Sequence, residues 1–196
     1  MKRSILFAAV LAAVSLPAAA ALSQGNEARG NPPQEKPSQA VSPQADTKGT
    51  TLAKQDREFI DEVAQGGLYE VRAGQLAVQK AQANDVKQFG QRMVDDHTAV
   101  NGRLQKLAQA KGLNLPSTLD KKHQDKIDSL SKKTGVDFDK AYIDEMVDDH
   151  KHDVDAFDKA SKDAKDASVK EFATTTLPTL REHLQQAQGI KDKLKT

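Results

Sequence analysis

The chain has 196 residues with 29 Lys and Arg against 28 Asp and Glu, so no bulk charge drives it onto nucleic acid or an anionic membrane. It has no cysteine, which excludes a disulfide scaffold, a thiolate metal site, a cysteine nucleophile and a lipid-modified N-terminal Cys. Aromatic residues are 4% and charged residues 29%, a mix that argues against a β-sandwich or a base-stacking platform and suits amphipathic helices with wide polar faces.

Residues 1–21 read as a signal peptide. Met1, Lys2 and Arg3 form a basic start, 5–16 is apolar, and Ala18, Ala19 and Ala20 supply a small-x-small cleavage pattern. The apolar run is short for a membrane span, and no later segment competes with it; a retained anchor is the alternative. Cleavage would remove two basic residues and leave 27 basic against 28 acidic, a net charge of about −1. Residues 22–53 hold four of the seven prolines (Pro32, Pro33, Pro37, Pro43) among Gln, Ser, Gly and Asn. Such a segment buries too little to offset its ordering entropy, so a disordered linker is expected.

Residues 54–196 read as helices. The first begins near Asp56, with a seam of Ile60, Val63, Gly67, Glu70, Gly74, Ala77 and Ala81. The second begins near Asn84, an expected N-cap, and carries Val86, Phe89, Met93, His97, Val100, Leu104 and Leu107 before Gly112 ends it. A short polar helix is expected around 119–130, after Pro116. The third long helix starts near Asp137 with Phe138, Met146, His150, Val154 and Phe157. The fourth starts near Asp166 with Val169, Phe172, Thr176, Leu180, His183, Ala187, Ile190 and Leu194. Alternating steps of three and four imply an all-α, four-helix bundle with an extra short helix in the long second connection. Pro178 should kink the last helix, either aiming His183 inward or letting the helix curve round the core.

Met93-Val94-Asp95-Asp96-His97 recurs letter for letter as Met146-Val147-Asp148-Asp149-His150. Equal placement in two helices implies equivalent structural roles. The long connection fits either a crossover between parallel helices or a short antiparallel link with a side helix.

Each long helix has one ionisable residue in mid-seam: Glu70, His97, His150 and His183. His123 and His152 fall elsewhere. Residues equidistant from a hairpin turn face each other. Glu70 and His97 are centred on the turn near 83–84, and His150 and His183 on the turn near 165–167. A single buried Glu-His-His-His layer is therefore expected. Two explanations stand: a hydrogen-bonded layer that fixes helix register, or a site for one divalent ion such as zinc, iron, manganese or copper. Met93 and Met146, one turn before two of the histidines, would suit copper(I) or simply fill the core. Asp96 and Asp149 stand where they could orient a neighbouring histidine. Gly67 and Gly74 flank Glu70 on its face, leaving room for imidazoles or permitting close helix packing. No nucleophile elbow, phosphate loop or glycosidase-like pair stands out, and no catalytic residue or organic cofactor is assigned.

The stretches GQLAVQKA (74–81), VKQFGQRMVDDHTAVN (86–101), FDKAYIDEMVDDH (138–150) and TLPTLREHLQQAQ (176–188) resemble the exported bacterial family called domain of unknown function 4142. The likeness spans about 55–194. It implies a ferritin-like four-helix bundle with a long second connection, in a periplasmic or outer-membrane-associated protein, and it implies no activity. Ferritin-type dinuclear sites use Glu-x-x-His pairs. The residues three before the histidines are Val94, Val147 and Leu180, so a dinuclear ferroxidase centre is not expected.

Overall fold

A computed structural model describes residues 52–195. The expected signal peptide, 1–21, and all but the last two residues of the expected linker, 22–53, lie outside the described residues. Five α-helices follow: α1 Lys54–Lys80, α2 Asn84–Ala110, α3 Lys121–Ser131, α4 Gly135–Asp163 and α5 Ala167–Lys193. No strand occurs among the described residues, and no helix there is long and apolar enough to cross a membrane.

The helix ends show which residues stop and start each rod. Past α2, Gly112 takes φ 67°, with Leu113 N donating to Ala108 O at 2.9 Å and Gly112 N to Gln109 O at 3.1 Å. That is a Schellman closure, which needs a residue tolerant of the left-handed region. Asp166 caps α5 by accepting from Ser168 N and Val169 N, and Asp120 caps α3 through His123 N. Asn84 is not the N-cap expected for α2. It is the first helical residue, Ala83 precedes it, and no side chain of the turn caps that end. The cap comes from another helix: Asp139 of α4, 1% exposed, accepts Gln82 N at 2.9 Å and Ala83 N at 2.8 Å. Asp56 of α1 does the same for the α4–α5 turn, accepting Lys165 N and Asp166 N. The two carboxylates exchange places: each hairpin's first helix closes the other hairpin's turn.

Those contacts fix the topology. α1 packs mainly on α2 and α4 mainly on α5. The start of α1 meets the end of α4 (Gln55 to Asp163 O, 2.8 Å), and the end of α1 meets the start of α4 through Asp139. Lys193–Asp85 and Lys111–Asp166 join α5 to α2 in the same antiparallel sense. Hence α2 and α4 run in one direction, and residues 111–134 return along the molecule with α3 laid beside α1. This decides between the two connections that the spacing left open. α5 continues unbroken through Pro178.

Two apolar clusters make the core. One gathers Met93, Phe89, Phe138, Tyr142, Ile143 and Met146; the other gathers Phe59, Ile60, Leu104, Phe157, Phe172 and Leu180. Each large side chain removed from water contributes roughly 1.5–3 kcal/mol before entropy is counted. Close approach of α1 and α2 is set by glycine. A Cβ on Gly74 would stand 2.7 Å from Gly90 O, and one on Gly90 would stand 2.7 Å from Ala77 Cβ. Close packing, rather than room for imidazoles, accounts for Gly74, while Gly67 makes way for the Asn101 side chain.

Candidate metal centre

Between the two apolar clusters the seams turn polar. Glu70 (3% exposed), His97 (2%), His150 (0%) and His183 (1%) come together, one from each long helix. Ring centroids lie 5.5 Å apart for His97–His150, 5.3 Å for His97–His183 and 5.2 Å for His150–His183, a near-equilateral triangle. One nitrogen from each ring lies within 4.8 Å of the other two. Glu70 adjoins two of the three rings, with Oε2 at 2.7 Å from His97 Nδ1 and Oε1 at 3.5 Å from His150 Nε2.

Burial sets the protonation. Desolvation holds His97 and His183 down to about 4, and it holds His150 well below the usual imidazole value, with the neighbouring His97 and His183 adding to the effect. Neutral rings carry one N–H each, and the partners assign it. His150 Nδ1 lies 2.9 Å from Met146 O, a carbonyl that only accepts, so Nδ1 donates. His183 Nε2 lies 2.7 Å from the Asp96 carboxylate and donates to it. His97 Nδ1 donates to Glu70. The remaining nitrogens bear lone pairs. His150 Nε2 and His183 Nδ1 then face each other at 3.2 Å with no proton between them, and His97 Nε2 has no partner.

The surroundings hold this arrangement. Asp96 is fixed by Arg92 Nε at 3.2 Å, and Arg92 is held in turn by Glu182 and Gln186 of α5. Asp149, the other aspartate of the repeated motif, holds no histidine. Its carboxylate takes Lys126 of α3 at 2.7 Å, because α4 turns that face toward α3 where α2 turns it toward α5. His123 Nδ1 donates to Asp120 and its ring lies tilted with its centroid 5.4 Å from that of Tyr69, and His152 pairs with Glu62 at the surface; neither joins the layer. Met93 and Met146 belong to the first apolar cluster.

A fifth polar group belongs here and was missed in the sequence. Asp153, on α4, hydrogen-bonds side chain to side chain with Glu70; burial, and then the Glu70 charge, push it well above the usual carboxylate range. Burial likewise raises Glu70. Asp153 stands three residues after His150, outside the ferritin-type spacing, and its counterpart in the α2 copy of the repeat is Val100. A different comparison would have found it. Asp56 and Asp139 differ by 83 positions, and so do Glu70 and Asp153, as do the turns 81–83 and 164–166. The acids are equivalents in the two hairpins, and the position equivalent to His150 is Gly67. Tyr69 and Tyr142 are buried close enough to feel the Glu70 charge, and their hydroxyls have no partner.

Among solved structures, a DUF305 fragment from Deinococcus radiodurans has a similar helical fold, with TM-score 0.64 and 13% identity over 72% of this chain and 98% of that one. No curated protein matches the chain. The model of the family described as "Domain of unknown function (DUF4142)" matches residues 41–190, and the chain belongs to that family.

Proposed function

We propose that the protein binds one divalent metal ion at Glu70, His97, His150 and His183, inside a ferritin-like four-helix arrangement, as an exported, non-catalytic protein of the cell envelope. The observation that carries the reading is the direction of the N–H groups. His150 and His183 donate outward, to Met146 O and Asp96, and turn their lone pairs toward each other at 3.2 Å, while His97 Nδ1 donates to Glu70 and its Nε2 has no partner. Orienting a ligand histidine through its second nitrogen is how proteins prepare imidazoles for metals. Without a cation, His150 Nε2 and His183 Nδ1 repel at 3.2 Å. Three imidazoles with a carboxylate suit zinc, iron(II), manganese or copper better than magnesium or calcium, which prefer all-oxygen shells. Export is proposed from the N-terminal sequence pattern alone.

A second reading has its own support. The layer separates two apolar clusters, as a polar layer that fixes helix register would. Elemental analysis and metal titration of the purified protein, with His97→Ala, His150→Ala and His183→Ala alongside, separate the two. The metal reading expects one ion per chain, lost in each variant. The register reading expects destabilised variants and a parent that retains no ion.

A further inference from the structure

A pocket of about 350 Å³ opens between α1, the start of α3 and α4. Six carboxyl groups line it, from Asp61, Glu62, Glu70, Asp120, Asp149 and Asp153, against one lysine, Lys122. A second, smaller space of about 10 Å³, enough for a single water or ion, is lined by Gly66, Glu70, His97, Asn101 and Asp153 among others. Gly66, Glu70 and Asp153 line both spaces. They are the partition between an acidic vestibule and the histidines. A further observation marks the partition as more than surface acidity: Glu70 is 3% exposed, yet its Oε1 has no hydrogen-bond donor among the described residues apart from the neighbouring Asp153 carboxyl. Gly66 leaves the passage clear, since a Cβ there would meet nothing within 4 Å.

We infer that this vestibule is the route by which a divalent cation reaches the inner histidines, crossing between Glu70 and Asp153 beside Gly66. The inference rests on the metal reading above. A low-dielectric cleft lined by one sign of charge concentrates ions of the other, and such steering accelerates association by about 10- to 1,000-fold. Elsewhere the layer is closed: Met146 backs His150, while Asp96 and Arg92 cover His183.

The test is the rate at which Co²⁺ enters the purified full chain, followed by its visible absorbance, with final occupancy measured separately. Asp61→Asn/Glu62→Gln changes two exposed residues outside the inner layer. It is expected to slow uptake about tenfold at low salt and to flatten its dependence on ionic strength, with final occupancy unchanged. Gly66→Leu adds a side chain in the passage at a helical position. It is expected to slow uptake by tenfold or more without lowering the melting temperature. If the leucine variant does not fold, the charge variant decides. Wild-type uptake rates in the charge variant, or in a folded Gly66→Leu protein, would overturn the route while leaving the metal site standing. No cobalt spectrum in the wild type would overturn both.

Discussion

Replacing the two facing imidazoles by leucine, His150→Leu/His183→Leu, separates the two explanations of the polar layer by the sign of a stability change. Little is stranded by the replacement. Met146 O lies four residues before His150 and keeps its place in the ladder of α4; Asp96 is about one-third exposed and keeps Arg92; His97 and Glu70 keep each other. The loss is two hydrogen bonds, each with a net contribution of about 1 kcal/mol. The gain is removal of two unsatisfied buried nitrogens at roughly 1–3 kcal/mol each, with leucines of similar volume added to the apolar clusters. The metal-free variant is therefore expected to range from neutral to about 4 kcal/mol more stable than the metal-free parent. For a domain of this size that is a rise in melting temperature of up to about 8–16 °C. Calorimetry in chelator measures it, and adding metal should raise the parent alone. A variant destabilised by more than about 2 kcal/mol in chelator would refute the reasoning and assign the layer to register.

Other consequences follow from the same geometry. Folding lowers the affinity of His183 for protons to about 4, so the unfolded chain takes up a proton first as pH falls below about 6.5. Stability tied to that group is present above pH 6.5 and lost toward pH 4, so in chelator the leucine double variant should gain on the parent across that window; a constant gap in urea titrations would contradict it. Asp139→Ala orphans Gln82 N and Ala83 N at the α1–α2 turn, and a loss of about 2–4 kcal/mol is expected in urea denaturation; a loss under 1 kcal/mol would show the cap to be incidental. Gly74→Ala forces a Cβ to 2.7 Å from Gly90 O and should destabilise by about 1–3 kcal/mol. Gly102→Ala, with open space at its Cβ in the same hairpin, should instead stabilise by up to about 1 kcal/mol; similar changes at both positions would refute the packing argument.

Much of this was legible in sequence because amphipathic helices write their buried face in steps of three and four. The seam placed Glu70, His97, His150 and His183, and symmetry about each turn put them at one height, as the 2.7 Å Glu70–His97 and 3.2 Å His150–His183 contacts show. What stayed hidden depends on neighbours from another hairpin. Asn84 has the chemistry of an N-cap, but Asp139, 56 positions away from Ala83, takes the turn's N–H groups. Asp96 and Asp149 are identical in local sequence and differ only in what their helices face, α5 for one and α3 for the other. Asp153 sits beside the regular seam on a highly charged stretch, where local pattern gives no sign that its carboxyl turns inward to Glu70. The α2–α4 crossover was likewise a matter of tertiary contact, fixed by which helix ends the buried aspartates join.

X-ray absorption spectroscopy on protein loaded with one equivalent of Zn²⁺ and then desalted tests the central claim most directly. The account expects the ion to be retained, with a first shell of three imidazole nitrogens at about 2.0–2.1 Å and a carboxylate oxygen at a similar distance. Loss of the ion on desalting, or a shell of oxygens with at most one imidazole, would contradict it.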